Sequence, residues 1–328
     1  MPCKSCKSPN RSFIGLFHKN PDNNHKSSNV VIWKRNSFYA RKAVNQDKEA
    51  QISQEQEDVG NGSSSSSTSF LSFLCPLLKL FSAGDPSKER NYLLEATSSL
   101  STLARLPWGS RALYDRLNDQ RNVDPPMRLQ LFEFEACPFC RRVREAKTEL
   151  DLSVEIFPCP KGSVRHREMV KRLGAKNSMQ FPFLVDPNTG SSMYESSNIV
   201  KYLFDQYGPS FGMLESTIIT GWVPTLLRAG RGMTLWEKSI KEPPSGKLEL
   251  FSYENNPYAR IVREALCELE LPYILQSVGQ GSVRAKSLLE MSGSNEVPYP
   301  VDHNTGMKIG GYKNVISYLF QSYSSAST

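Results

Sequence analysis

The 328-residue chain has no apolar run long enough to cross a bilayer. Its longest, Phe70–Phe81, covers about a dozen residues and is broken by Pro76 and Lys79, which suits a segment laid on the protein's own surface or a peripheral membrane contact. Cysteine is sparse and odd in number, seven in all, so a secreted disulfide framework is excluded. Metal ligands are also few. Beyond residue 43 only Cys75, Cys159, Cys267, His166 and His303 accompany Cys137 and Cys140, at no ligand spacing, and no metal is expected. An iron–sulfur cluster shared between two chains is the remaining metal alternative. Acids are almost missing from the first 43 residues, where nine Lys and Arg face Asp22 alone. That stretch carries more than the whole net charge of +7, the remainder is near neutral, and no nucleic-acid partner is implied.

What is present begins with that leader. It is rich in Ser, Asn, Lys and Arg and lacks the compact apolar segment of a secretory signal, so it reads as an organelle transit peptide over 1–43. Plastid is the expected destination and mitochondrion the alternative; a plain disordered basic tail is the other reading. Cys3 and Cys6 fall inside it and are set aside as a site. Residues 44–69, with the run Ser63 to Ser67, cannot bury enough apolar surface to order themselves and form a linker. Residues 70–126 hold the apolar segment and two short helices joined near Pro107-Trp108-Gly109, without evident chemistry.

The organising feature is an internal repeat. LQLFEFEACPFCRRVREA at 129–146 aligns without a gap to LELFSYENNPYARIVREA at 248–265. Gly162 to Arg165 match Gly281 to Arg284 in the same register, and after a three-residue deletion Asp186, Asn188-Thr189-Gly190 and Tyr202-Leu203-Phe204 match Asp302, Asn304-Thr305-Gly306 and Tyr318-Leu319-Phe320. Two copies of one domain are predicted, over 127–208 and 246–324, joined by a connector at 209–245. In the first copy, Arg128 to Phe134 alternates as a strand does. Pro138 then opens a helix to about Leu150. A strand near Val154 to Phe157, a helix from Ser163 to Leu173, a strand pair from Phe183 to Tyr194 and a helix from Ser196 to Tyr207 complete the order βαβαββα. That order is a thioredoxin fold, of the α/β class.

A cysteine placed just before a helix meets unpaired backbone N–H groups and the positive end of the helix dipole, which lowers its pKa. Cys137 in Cys137-Pro138-Phe139-Cys140 is the expected nucleophile, with Arg141 and Arg142 adding positive charge. Cys140, one turn on, is the resolving thiol. Glu195-Ser196 precedes the last helix, with Ser196 expected to cap it. Cys159 and Cys267 read as packing residues. The second copy replaces the dithiol with Asn256-Pro257-Tyr258-Ala259 and Tyr194-Glu195-Ser196 with Gly310-Gly311-Tyr312. Chemistry and ligand motif vanish together while core positions stay.

Through the CPFC motif, Phe181-Pro182 and Tyr194-Glu195-Ser196, the chain resembles the glutaredoxins and the amino-terminal domains of glutathione transferases, including prostaglandin E synthase type 2-like proteins. The resemblance covers about 127–208 and, degenerately, 246–324, and implies two tandem thioredoxin-like domains behind a disordered leader. It implies Pro182 as a cis-proline that sets the Phe181 backbone opposite Cys137, and Phe181, Pro182, Glu195 and Ser196 as the binding residues for glutathione as cosubstrate, or for a client protein disulfide. The expected function is a glutathione- or thioredoxin-linked dithiol–disulfide oxidoreductase. The alternatives are a redox-regulated assembly module of a plastid complex and isomerase chemistry on a lipid endoperoxide. The long all-helical domain that follows in transferases has no counterpart in the connector, which speaks against conjugation of bulky electrophiles.

Overall fold

The computed structural model describes residues 91–113, 124–174, 179–208 and 216–325. The leader, the linker, the Phe70–Phe81 segment and most of the second short helix expected before residue 126 lie outside them. The first copy contains β1 (Leu129–Glu133), α2 (Pro138–Glu149), β2 (Val154–Pro158), α3 (His166–Leu173), β3 (Phe183–Asp186), β4 (Ser191–Tyr194) and α4 (Ser196–Tyr207). The second repeats the order with β5 (Leu248–Ser252), α6 (Pro257–Glu268), β6 (Tyr273–Ser277), α7 (Ala285–Ser292), β7 (Tyr299–Asp302), β8 (Met307–Lys308) and α8 (Tyr312–Ser322). A helix precedes each copy: α1 (Asn91–Leu103) and, within the connector, α5 (Ile218–Leu227). The fold is therefore two thioredoxin-like repeats, as the residue pattern predicts.

The copies do not sit as separate beads. Within each, a parallel pair (β1 with β2, β5 with β6) continues into antiparallel partners. The edge strands β2 and β6 then pair antiparallel, with Val154 opposite Leu275 and Ile156 opposite Tyr273. The result is one eight-stranded sheet ordered β4-β3-β1-β2-β6-β5-β7-β8. The outer edge of β2, a row of otherwise unpaired N–H and C=O groups, and that of β6 thereby close one another, while β4 and β8 end the sheet. One apolar cluster runs across the seam on the α2/α6 face, joining Leu129, Leu131, Val143 and Ile156 to Leu248, Leu250, Val262 and Leu275. On the opposite face each copy keeps a small cluster of its own: Phe132, Phe157, Val170 and Phe183 in the first, Phe251, Val278, Leu288 and Val301 in the second.

The matched Asp-x-Asn-Thr-Gly turns have a common purpose. Asp186 accepts hydrogen bonds from the Asn188 backbone N–H (2.8 Å), Tyr202 Oη (2.6 Å) and Tyr207 Oη, tying the β3–β4 turn to α4. Asp302 does the same with Asn304, Tyr318 and Tyr323. Gly190 and Gly306 close those turns at φ 72° and 74°, where a side chain would be disfavoured.

Candidate functional site

Cys137 is the N-cap residue of α2, at φ −71° and ψ 121°, with Pro138 opening the helix. Its Sγ accepts from the Cys140 backbone N–H at 3.3 Å. The side chain is 3 % exposed. Burial works against ionisation of this thiol. The Cys140 thiol and N–H, the Arg144 charge and the Phe139 N–H outweigh it and hold Cys137 below the ordinary cysteine range. Burial and the neighbouring Cys137 push Cys140 well above that range. The pair is thus unsymmetrical, one sulfur poised as thiolate and the other kept as thiol, as attack and resolution require.

The source of positive charge differs from the sequence expectation. Arg141 turns into the seam between the copies, its Nη1 donating to the Gly221 carbonyl (2.9 Å) and its Nε standing 3.5 Å from Glu254. Arg142 donates to Ser197 Oγ at 3.1 Å, joining α2 to α4. The charge that acts on Cys137 is Arg144, fully buried and paired with Glu133, Glu135 and Glu254. Its twin Arg263 pairs with Glu135 and Glu254. The signal was the Arg-Glu pair kept in both copies, within Val143 to Ala146 and Val262 to Ala265.

The Phe181-Pro182 peptide is cis, as is its twin Val297-Pro298. The Phe181 carbonyl lies 4.0 Å from Cys137 Sγ, so these residues stand beside the sulfur. Glu195 and Ser196 meet at the head of α4. Ser196 is not the cap that its position suggests. Glu195 holds the cap position at φ 70°, no side chain caps the helix, and Ser196 is its first, buried residue. The reason is backbone geometry: the chain makes its left-handed turn at residue 195, where the twin has Gly311 at φ 78°. A glutamate in that conformation costs about 1–3 kcal/mol and is the kind of strain that collects at binding sites. Without a side-chain cap, the leading N–H groups of α4 are left to a ligand or water.

The second copy shows the same scaffold closed. Asn256 Oδ1 accepts from the N–H groups of Tyr258 (3.0 Å) and Ala259 (2.8 Å), occupying the donors that face the sulfur in the first copy. The Tyr312 ring, at the position of Ser196, stacks on Tyr258, the twin of Phe139, with centroids 5.2 Å apart and planes 23° apart. Tyr312 Oη is tied to Glu95 of α1. A tyrosine ring therefore stands between the two helix heads of the second copy, where the first copy has only the serine side chain.

Helix α1, from the stretch without evident chemistry, and α5, from the connector, contact these sites. Helix α5 packs on α2, and α1 packs on α6. Thr225 Oγ1 donates to the Ala136 carbonyl (2.6 Å), and Ser98 Oγ to that of Pro257 (2.6 Å). Arg105 after α1 pairs with Glu145 at 2.6 Å, and Arg228 after α5 with Glu264 at 2.6 Å. Thr102-Leu103-Ala104-Arg105 and Thr225-Leu226-Leu227-Arg228 are twin segments, so the duplicated unit begins before each thioredoxin core. Cys159 and Cys267 are buried, and burial pushes both thiols well above the ordinary range.

Fold and site together define a pair of thioredoxin-like domains, one carrying a dithiol. The model of the family described as Glutathione S-transferase, N-terminal domain matches the chain twice, over residues 131–211 and 250–327, so both repeats are of that type. No curated protein and no solved structure gives a significant match. Domains of this type fit a glutathione-related redox or transferase role, with glutathione as substrate. Among the described residues no group of three or more His, Cys, Asp or Glu is placed to hold a metal, and no helix is long and apolar enough to cross a membrane.

Proposed function

We propose that the protein is a glutathione- or thioredoxin-linked dithiol–disulfide oxidoreductase working at Cys137. The Cys137 thiolate attacks one sulfur of a disulfide, forming a mixed disulfide and releasing the other sulfur as a thiolate that takes a proton from solvent. Cys140 then attacks Cys137 Sγ, its proton passing to the leaving thiolate, and a Cys137–Cys140 disulfide remains. Two glutathione molecules, oxidised to their disulfide, or a thioredoxin-type dithiol restore the reduced pair. The Phe181 backbone beside Pro182 pairs with the main chain of glutathione or a client peptide. The backbone at Glu195 and Ser196 receives its carboxylate at the head of α4.

One observation carries this reading: at matched positions the first copy has a thiol and Ser196, and the second has Asn256 and the Tyr312 ring. Loss of the sulfur coincides with filling of the ligand's place, which follows if the two served one reaction. The rival reading, a redox-regulated assembly module, draws on the 3 % exposure of Cys137. Glutathione-coupled disulfide reduction by wild type and Cys137→Ser, with mass analysis for glutathionylated Cys137, separates them. Turnover lost with Cys137→Ser and a mixed disulfide trapped in Cys140→Ser support the enzyme. An unreactive Cys137, with a stable partner retained after both cysteines are replaced, supports the module. The basic, acid-poor leader supports a plastid location for this chemistry, with mitochondrion the alternative; a fluorescent fusion to residues 1–43 should enter one or the other.

A further inference from the structure

Helices α1 and α5 are amphipathic in the inverted sense. On α1 the polar residues turn inward: Ser98 and Ser101 are buried, Ser98 Oγ donates to the Pro257 carbonyl (2.6 Å), and Arg260 of α6 donates to the Ser98 carbonyl at 3.1 Å. On α5 the buried Thr225 plays that part at the Ala136 carbonyl. The large apolar side chains turn outward. Leu93, Leu100, Leu103 and Leu106 in or just after α1, and Ile219 and Leu226 in α5, are each 50 % exposed or more. Their helical spacing gathers them on one face of each helix.

The two faces adjoin. Helices α1 and α5 pack side by side, with Arg228 Nη1 donating to the Leu94 carbonyl (2.7 Å) and Arg105 Nη1 to that of Thr217 (2.9 Å). Leu103 and Leu226 hold matched places in the duplication. Helix α1 contains a single charged residue, Glu95, which is tied to Tyr312 and Lys313, and α5 contains none. A helix that faces water carries charge on its outer side. A contiguous apolar face of this kind marks a contact.

We propose that this face is the docking site of the chain's own Phe70–Phe81 segment. Its sequence, FLSFLCPLLKLF, offers Phe and Leu side chains with one charge, Lys79. Nine residues, 82–90, join it to α1 and reach about 30 Å when extended, whereas the 13 residues of α1 span about 20 Å. The tether thus lets the segment lie back over the whole helix, and Gly84-Asp85-Pro86 within it suits a chain reversal. Two other occupants fit less well. A short tether holds the segment at a local concentration of about millimolar, which a second copy of the chain does not reach in dilute solution. A lipid surface favours Lys and Arg beside an apolar helix face, and neither α1 nor α5 contains one.

The test places the photo-crosslinker p-benzoylphenylalanine at position 100 of the full-length chain and maps the products by mass spectrometry. Crosslinks within one chain to residues 70–81 are expected. Cys75 gives a second reading: its alkylation should be about tenfold or more slower in wild type than in Leu100→Lys with Leu103→Lys, because a docked segment reacts only on local opening. Both substitutions fall on exposed leucines, and thermal unfolding checks that the double variant keeps its fold. Crosslinks between chains, with a dimer in sedimentation, assign the face to a second copy and overturn the proposal. Flotation of wild type, but not of the double variant, with phosphatidylcholine–phosphatidylglycerol vesicles assigns it to lipid and overturns it equally. So does a Cys75 alkylated at one rate in both proteins with no crosslink to 70–81. None of these outcomes bears on the reading of Cys137.

Discussion

At the scale of single residues, the pair of thiols gives the most direct prediction. Alkylation of Cys137 by iodoacetamide should rise with pH and level off below the pH at which an ordinary cysteine does, while Cys140 stays slow; replacing Arg144, whose charge favours the Cys137 thiolate, should move the Cys137 curve upward. Glu195→Gly copies the twin Gly311 and removes the strain at φ 70°. The variant should be as stable as wild type or more so, by up to about 1 kcal/mol, measured by urea unfolding. Lys147 offers a third case. It is 1 % exposed, its Nζ has no hydrogen-bond partner, and the twin position is Leu266. Burial first, then Arg263, drive its pKa down to about 7 from 10.5. Between those pH values the unfolded chain binds the extra proton, so stability rises with pH through that window, and below about 7 the folded state carries the full cost of a buried ammonium. Glu149 acts in the opposite sense at lower pH: burial raises its carboxyl from 4.5 to about 7, so its contribution to stability falls as pH rises across that range. Lys147→Leu should therefore stabilise the protein by a few kcal/mol near pH 7 and abolish the rise above it. The decline below pH 7 should remain, and denaturation at a series of pH values reads both limbs.

At the scale of elements, the β-α-β-α-β-β-α order, the helix opened by Pro138 and the hairpin at Asn188-Thr189-Gly190 were all legible, because period-two alternation, proline and glycine act locally. The Cys137, Phe181 and Pro182 neighbourhood was legible through the resemblance, since nothing local to Phe181 points across to a cysteine so far back in the chain. Two features were not. Ser196 reads as a cap from its residue type alone, whereas the cap position is fixed by which residue adopts positive φ, and Glu195 is an unlikely choice on propensity. Helices α1 and α5 were unreadable as twins because their exposed and packed faces have diverged, leaving Thr97, Thr102, Leu103, Arg105 and Gly109 against Thr220, Thr225, Leu226, Arg228 and Gly232 as the remaining matches. The structure explains those survivors. Arg105 and Arg228 neutralise Glu145 and Glu264 in the interior, and Gly109 and Gly232 direct their N–H groups to Glu149 at 3.3 Å and Glu268 at 2.9 Å. Arg228→Leu strands the Glu264 carboxylate away from its fork partner and should cost about 3–5 kcal/mol, with Arg228→Lys recovering part of it. Thermal unfolding of the three proteins checks this.

At the scale of the whole molecule, the two copies hold one another through features related by the duplication. Arg144 and Arg263 share Glu135 and Glu254 across the seam. Glu270 accepts from the Arg165 and His166 N–H groups at the start of α3, and Asp151 accepts from the Val283 N–H near the start of α7. With a common sheet and a common core, the copies should unfold in one cooperative transition, and amide exchange in β1 and β5 should report the same global opening free energy. Two separate transitions, or early exchange confined to the second copy, would contradict the shared core. The sequence disclosed the duplication but not this seam, because strands β2 and β6 carry no mark of which neighbour lies beyond their free edges.

The pairing of β2 with β6 has a consequence for how such a molecule can change over time. In a symmetric dimer of identical chains every substitution appears twice, so a site cannot be lost from one subunit and kept in the other. Here the two halves are encoded separately yet remain structurally inseparable. The sulfur can be traded for Asn256 in one half while selection preserves it in the other, and the altered half cannot be discarded because it supplies half of the sheet. Covalent linkage thus turns a symmetric framework into one free to specialise, with one half keeping the dithiol and the other lending it support.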